Sequence, residues 1–144
     1  MDSEQIIYVT AAQVNDSVNK AAAAAKAGTR LGPLLQEGPF KLNMESRDAA
    51  ATSVMVHENE AELFIVVEGS GTMTVGGTLI NPTRNGTNLQ APTATGGKPY
   101  KLAKGDMVLV PENTAHAVTK VDGKIVLLSM HLPHPAPTAV WSPR

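Results

Sequence analysis

The chain contains no cysteine. That absence removes disulfides, thiolate metal sites and thiol nucleophiles together, so any metal it holds must take nitrogen and oxygen ligands. There is no run of Lys and Arg, and the formal net charge is −1, which takes away the electrostatic footprint of a nucleic-acid or anionic-membrane binder. No apolar stretch approaches the roughly 18 residues of a membrane span. The start, MDSEQIIYVT, is acidic and only briefly apolar, unlike a secretory signal. The expectation is a soluble, cytoplasmic protein with a small-molecule partner. No internal repeat is present, and 144 residues suit one domain able to bury a sizeable core.

What the chain has is strand signals. Residues 6–9 (IIYV) read as a short strand, after which Thr10 and Gln13 form a capping box for a weakly amphipathic helix over about residues 11–27, with Gly28 as its stop. The interior VNDSVN is poor in helix formers, so a break is expected near Asp16. From residue 38 onward, short runs rich in Val, Ile, Leu and Thr alternate with Gly, Pro, Asn and Asp. That pattern predicts an all-β sandwich or barrel. The turn-rich stretch 81–98 reads as a long surface loop, and residues 134–144, with several prolines, as a tail.

One stretch breaks the strand pattern. VMVHENEAELFIVVEGSGT places His57, Glu58, Glu60, Glu62 and Glu68 within twelve residues, although strand interiors are depleted in Glu and Asn. Residues two apart on a strand share a face, so His57 lies with Met55 and Ser53, and Glu62 with Phe64 and Val66. A hairpin through Glu58–Ala61 would bring His57 and Glu62 together. KGDMVLVPENTAHAVTK repeats the device, a turn delivering His116 at the start of a strand. Two imidazoles and a carboxylate are suitable ligands for a divalent metal.

These two stretches resemble the paired motifs of the cupin superfamily. The first family motif runs Gly, five residues, His-x-His, three or four residues, Glu, six residues, Gly; here His57, Glu62 and Gly69 match, Met55 replaces the first histidine and Ala49 the leading glycine. The second runs Gly, five residues, Pro-x-Gly, two residues, His, three residues, Asn; Gly105, Pro111 and His116 match, with Asn113 and Lys120 at the other two positions. The likeness covers about residues 38–131. It implies a single cupin barrel, a double-stranded β-helix or jelly roll, over residues 38–133, with the strand and helix of residues 1–37 packed on it. It also implies a metal held by His57, Glu62 and His116, with iron, manganese, nickel or zinc as the candidates. Met55, a soft and poor ligand for such ions, becomes a pocket wall together with Phe64, Val66 and Val118.

Other residues stay open at this level. In KIVLLSMHLP one face carries Ile125, Leu127, Ser129 and His131, and the other Val126, Leu128 and Met130. If the first looks inward, His131 is an acid/base candidate or a surrogate fourth ligand. Asn43, Glu45 and Arg47 share a face that reads as exposed, with an anion-binding arginine as the alternative. Glu58 and Glu60 read as solvated turn residues and Glu68 as exposed; Tyr100 and Trp141 remain unassigned. The strand ELFIVV is apolar on both faces, Phe64 and Val66 on one and Leu63, Ile65 and Val67 on the other, so something outside the barrel must cover it. A homodimer is the simplest cover.

The functional expectation is a metal-dependent small-molecule enzyme of oxygenase or lyase/isomerase type. The alternatives are a noncatalytic small-ligand binding or sensing module and a purely structural barrel.

Overall fold

The computed structural model describes residues 8–24 and 29–134. The helix α1 spans Ala11–Ala24 and is followed by β1 (Thr29–Glu37), β2 (Phe40–Arg47), β3 (Val54–His57), β4 (Glu60–Val75), β5 (Thr78–Ile80), β6 (Thr83–Asn85), β7 (Asn88–Ala91), β8 (Thr93–Thr95), β9 (Lys98–Ala103), β10 (Met107–Val110) and β11 (His116–Pro133). Every strand pairing is antiparallel. The large sheet runs β1-β2-β11-β3-β7-β6, with β4 joining β9, β10 and β11, and β5 and β8 form a separate pair. This is the all-β architecture that the strand spacing predicts. At 14 residues, α1 is too short to cross a membrane.

The capping box forms as expected. Gln13 N donates to Thr10 Oγ1 at 3.2 Å, and Thr10 N donates to Gln13 Oε1 at 2.9 Å, satisfying two amides that no helical carbonyl reaches. No break occurs at Asp16. The helix runs through it, and Lys20 pairs with Asp16 one turn away at 2.7 Å, a placement that supports a helix of weak propensity. The expected stop at Gly28, residues 6 and 7 of the expected strand at 6–9, the tail beyond His134 and Trp141 lie outside the described residues; Tyr8 and Val9, the described part of that strand, are not in a strand.

Two segments hold more strand than their composition suggests. Residues 29–37 form β1, an edge strand whose register slips between Pro33 and Leu35; Gly32 and Pro33 hide it in the sequence, and an irregular edge is where a strand tolerates proline. The stretch 81–98, expected as a surface loop, is largely exposed but carries β6, β7 and β8. Its β7 is tied along its length to β3, so pairing supplies the order that apolar content does not.

The core has two layers. Inside the sheets, Phe64, Val66, Met73, Leu102, Val110, Val118, Ile125 and Leu127 form one buried cluster. On the outer face, Val18 and Ala21 of α1 pack on Met44 and Val126, with Val67 and Leu128 beside them. Ile125 and Leu127 thus point inward and Val126 outward, which decides which face of β11 lines the interior. The long strand β4 bends at Gly69, where φ is +74° and an added Cβ would lie 1.8 Å from the Lys124 carbonyl oxygen. Only glycine fits there.

Candidate metal centre and pocket

The site is built where β3, β4 and the two ends of β11 meet. His57 closes β3, Glu62 stands near the start of β4, and His116 opens β11 while Ser129 and His131 lie near its far end. Register brings them level: His131 is the Cα partner of Glu62, and His116 that of Met55. The hairpin expected between β3 and β4 does not form. β3 pairs with β7 and β11, and β4 with β9, β10 and β11, so the two-residue turn at Glu58 and Asn59 carries the chain from one part of the sheet to another. His57 and Glu62 meet across that turn instead of across a ladder.

Glu62 is the hub. The Nε2 atoms of His57 and His116 each lie 3.1 Å from its Oε2. Ser129 Oγ donates to its Oε1 at 2.5 Å, and His131 Nε2 lies 3.3 Å from the same oxygen. The rings of His116 and His131 each have their centroid 5.3 Å from that of His57. Burial alone would raise the Glu62 pKa, but the hydrogen bonds from His116 and His57, the His116 charge and the Ser129 hydroxyl outweigh it and hold the carboxyl far below the ordinary carboxylate range. Burial likewise works against a charged His57, and its hydrogen bonds to Glu62 and Asn88 overcome this and raise its pKa.

Each imidazole is also held from behind. His57 Nδ1 lies 2.9 Å from Asn88 Oδ1, His116 Nδ1 3.2 Å from the Thr114 carbonyl oxygen, and His131 Nδ1 2.7 Å from Glu60 Oε1. An oxygen that engages Nδ1–H fixes each ring so that Nε2, which here faces Glu62, is the atom that gives up its proton when an ion binds, the arrangement by which outer partners orient metal-binding histidines. All three Nε2 atoms face one carboxylate. Of these, His57, Glu62 and His131 offer ligand atoms that all lie within 4.8 Å of one another, a set able to hold a divalent ion, and His116 stands outside that group.

A cavity of about 180 Å³ opens over this cluster, smaller than the roughly 300–1,000 Å³ typical of pockets for drug-sized ligands. Met55, Phe64 and Val118 line it as expected, whereas Val66 sits in the core cluster. His131 and Ser129 line it too, because the inward face of β11 is theirs. Asn43, Glu45 and Arg47, expected on the surface, form part of the wall. Glu60 enters the site through His131, while Glu58 stays outside and makes a two-pronged ion pair with Arg84 at 2.6 and 3.0 Å. Glu68 is exposed. Asn88, which holds His57, has no signature in the sequence, since nothing in a polar, turn-rich stretch singles out one amide.

No family model matches the sequence, and no curated protein matches it. Solved structures do match. The cupin domain of Cnp3 from Schizosaccharomyces pombe is 17% identical over 75% of this chain and 66% of that one, with a TM-score of 0.50. A cupin superfamily protein from Desulfitobacterium hafniense is 15% identical over 75% and 81%, also with a TM-score of 0.50. The fold is that of the cupins. Pac13 from Streptomyces, described as a nucleoside dehydratase, is 14% identical over 77% of this chain and 74% of its own, with a TM-score of 0.55. At such identities the likeness speaks for the cupin fold alone. In this chain Met55 lines the cavity, and His131 is the register partner of Glu62.

Proposed function

We propose that this protein is a metal-dependent small-molecule enzyme in which His57, Glu62, His116 and His131 hold a divalent ion, iron, manganese, nickel or zinc. The observation that supports it most is the convergence of three anchored imidazoles on one buried carboxylate beneath a cavity. His131 restores the fourth ligand that Met55 withholds. When bound, the ion would supply Lewis-acid polarisation of a substrate oxygen. The chain's own residues do the rest: Ser129 fixes the rotation of the Glu62 carboxylate, the oxygens behind each ring set its orientation, and Met55, Phe64 and Val118 keep water from the inner wall. Oxygenase and lyase or isomerase chemistry both suit such a centre. The dehydratase Pac13 supports the lyase branch on this fold.

A noncatalytic ligand-binding barrel is the second reading, favoured by one feature: the imidazoles and Glu62 already satisfy one another without an ion. Elemental analysis of the purified wild type and His57→Ala separates the two. Near-stoichiometric metal in the wild type, lost in the variant, is the expected result. Metal absent from the wild type after reconstitution with each of the four ions would leave the binding barrel.

The same reading includes a homodimer. Among the described residues α1 packs on Met44 and Val126, and on β10 Met107 and Leu109 are 66% and 57% exposed beside Ile65 and Leu63 of β4. Adjacent exposed apolar side chains of this kind mark an interaction surface. Sedimentation velocity is expected to show a dimer for the wild type and a monomer for Leu109→Lys. A monomeric wild type rules the dimer out.

A further inference from the structure

The cavity wall contains a feature that the metal reading does not use. Arg47 and Glu45 stand two residues apart on the inward face of β2, and Arg47 Nε donates to Glu45 Oε1. Their side chains are only 16% and 7% exposed, respectively. Glu45 lies close enough to Glu62 and His116 to feel their charge. A buried Arg–Glu pair brings little net stability compared with apolar residues of similar volume, because both charges must leave water. Apolar Phe64, Met73 and Val118 share this cavity wall, so the fold had apolar side chains suited to the space.

Arginine differs from lysine in carrying a planar fork of donors that matches a carboxylate. With Nε engaged by Glu45, the orientation of the guanidinium plane is set before any ligand arrives. We propose that Arg47 is the anchor for the carboxylate of a small organic acid bound in this cavity, with Glu45 as its positioning residue. This rests on the reading of the cavity as the place where a small molecule is handled. An acid anchored at Arg47 would direct its other end toward the Glu62 cluster. Burial works more strongly on Glu45 than the Arg47 charge does and raises its pKa. The cavity's volume of about 180 Å³ limits the acid to a few carbons.

The test is isothermal titration of the full-length protein, its metal content measured beforehand, with malonate, and separately with inorganic phosphate. Arg47→Gln and Arg47→Lys are expected to weaken malonate binding by about 10–100-fold, the size of a lost charge-assisted hydrogen-bond pair. Glu45→Gln, which removes the competing carboxylate and keeps the arginine, is expected to bind malonate at least as tightly as the wild type. A purely structural pair predicts lower stability in all three variants with no change in malonate affinity, and that result would overturn the proposal. So would Arg47-dependent binding of phosphate in place of malonate. Arg47-dependent malonate binding by metal-free protein would sustain this proposal while the metal reading fell; metal-loaded protein indifferent to Arg47 would do the reverse.

Discussion

Replacing Glu62 with alanine is expected to destabilise the metal-free barrel by about 3–5 kcal/mol, the cost of removing one partner from a buried charge pair. The carboxylate is 5% exposed, and the imidazoles around it turn their other nitrogens toward Asn88, Thr114 and Glu60. Without Glu62 their Nε2 atoms lose their shared acceptor inside the protein. Urea unfolding of the wild type, Glu62→Ala and Glu62→Gln reads this directly, with glutamine intermediate because its amide oxygen still accepts. A loss under about 1 kcal/mol, the scale of a single neutral hydrogen bond, would mean that the cluster carries no buried charge.

The same variant changes the response to pH. The Glu62 carboxyl titrates below its ordinary value of 4.5, so its stabilising share is present above that value and is lost as pH falls through the lowered one. His57 titrates above its ordinary 6.5, so its share is full below that value and is lost as pH rises through the raised one. The metal-free wild type is therefore expected to be most stable between the two ordinary values, 4.5 and 6.5. In Glu62→Ala both flanks flatten. A profile in the variant as peaked as in the wild type would place the pH dependence elsewhere.

Metal affinity is expected to fall by at least about 100-fold in His131→Ala, no less than in His116→Ala, since loss of a ligand exceeds the 10–100-fold typical of an outer partner. Register makes the case for His131, whose Cα partner is Glu62 itself. Its Nδ1 is held by Glu60, leaving Nε2 toward the carboxylate. In all forms affinity should weaken as pH falls, because protons compete for the same nitrogens. Competition titrations with a metal-indicating chelator across pH check both points. If His131→Ala binds metal like the wild type while His116→Ala does not, the trio His57, Glu62 and His116 suffices, and His131 is left with a role in the cavity wall.

Much of this site was legible from spacing. His57, Glu62 and Gly69 stand at motif intervals, and a turn between short apolar runs announces a place where polar side chains can converge. The missing pieces share a physical cause. Whether His131 faced inward depended on the parity of β11, which shifts register against β4 at three places, Val118/Lys120, Val121/Ile125 and Val126/Leu127; the first and last are one-residue slips that each reverse a face, and no local pattern counts them. Asn88 reaches His57 because β7 pairs with β3, a contact between residues 31 apart in sequence.

By itself the sequence determined the all-β class, the capped helix and the exclusion of thiol chemistry, and it singled out one carboxylate and two imidazoles as candidates, because these depend on local periodicity and short intervals. Only the tertiary structure decided that Arg47 and Glu45 look into the cavity, that β3 and β4 are not a hairpin, and that His131 joins the cluster. Strand pairing and bulges set which face of a strand turns inward, and those are long-range properties that adjacent residues do not encode.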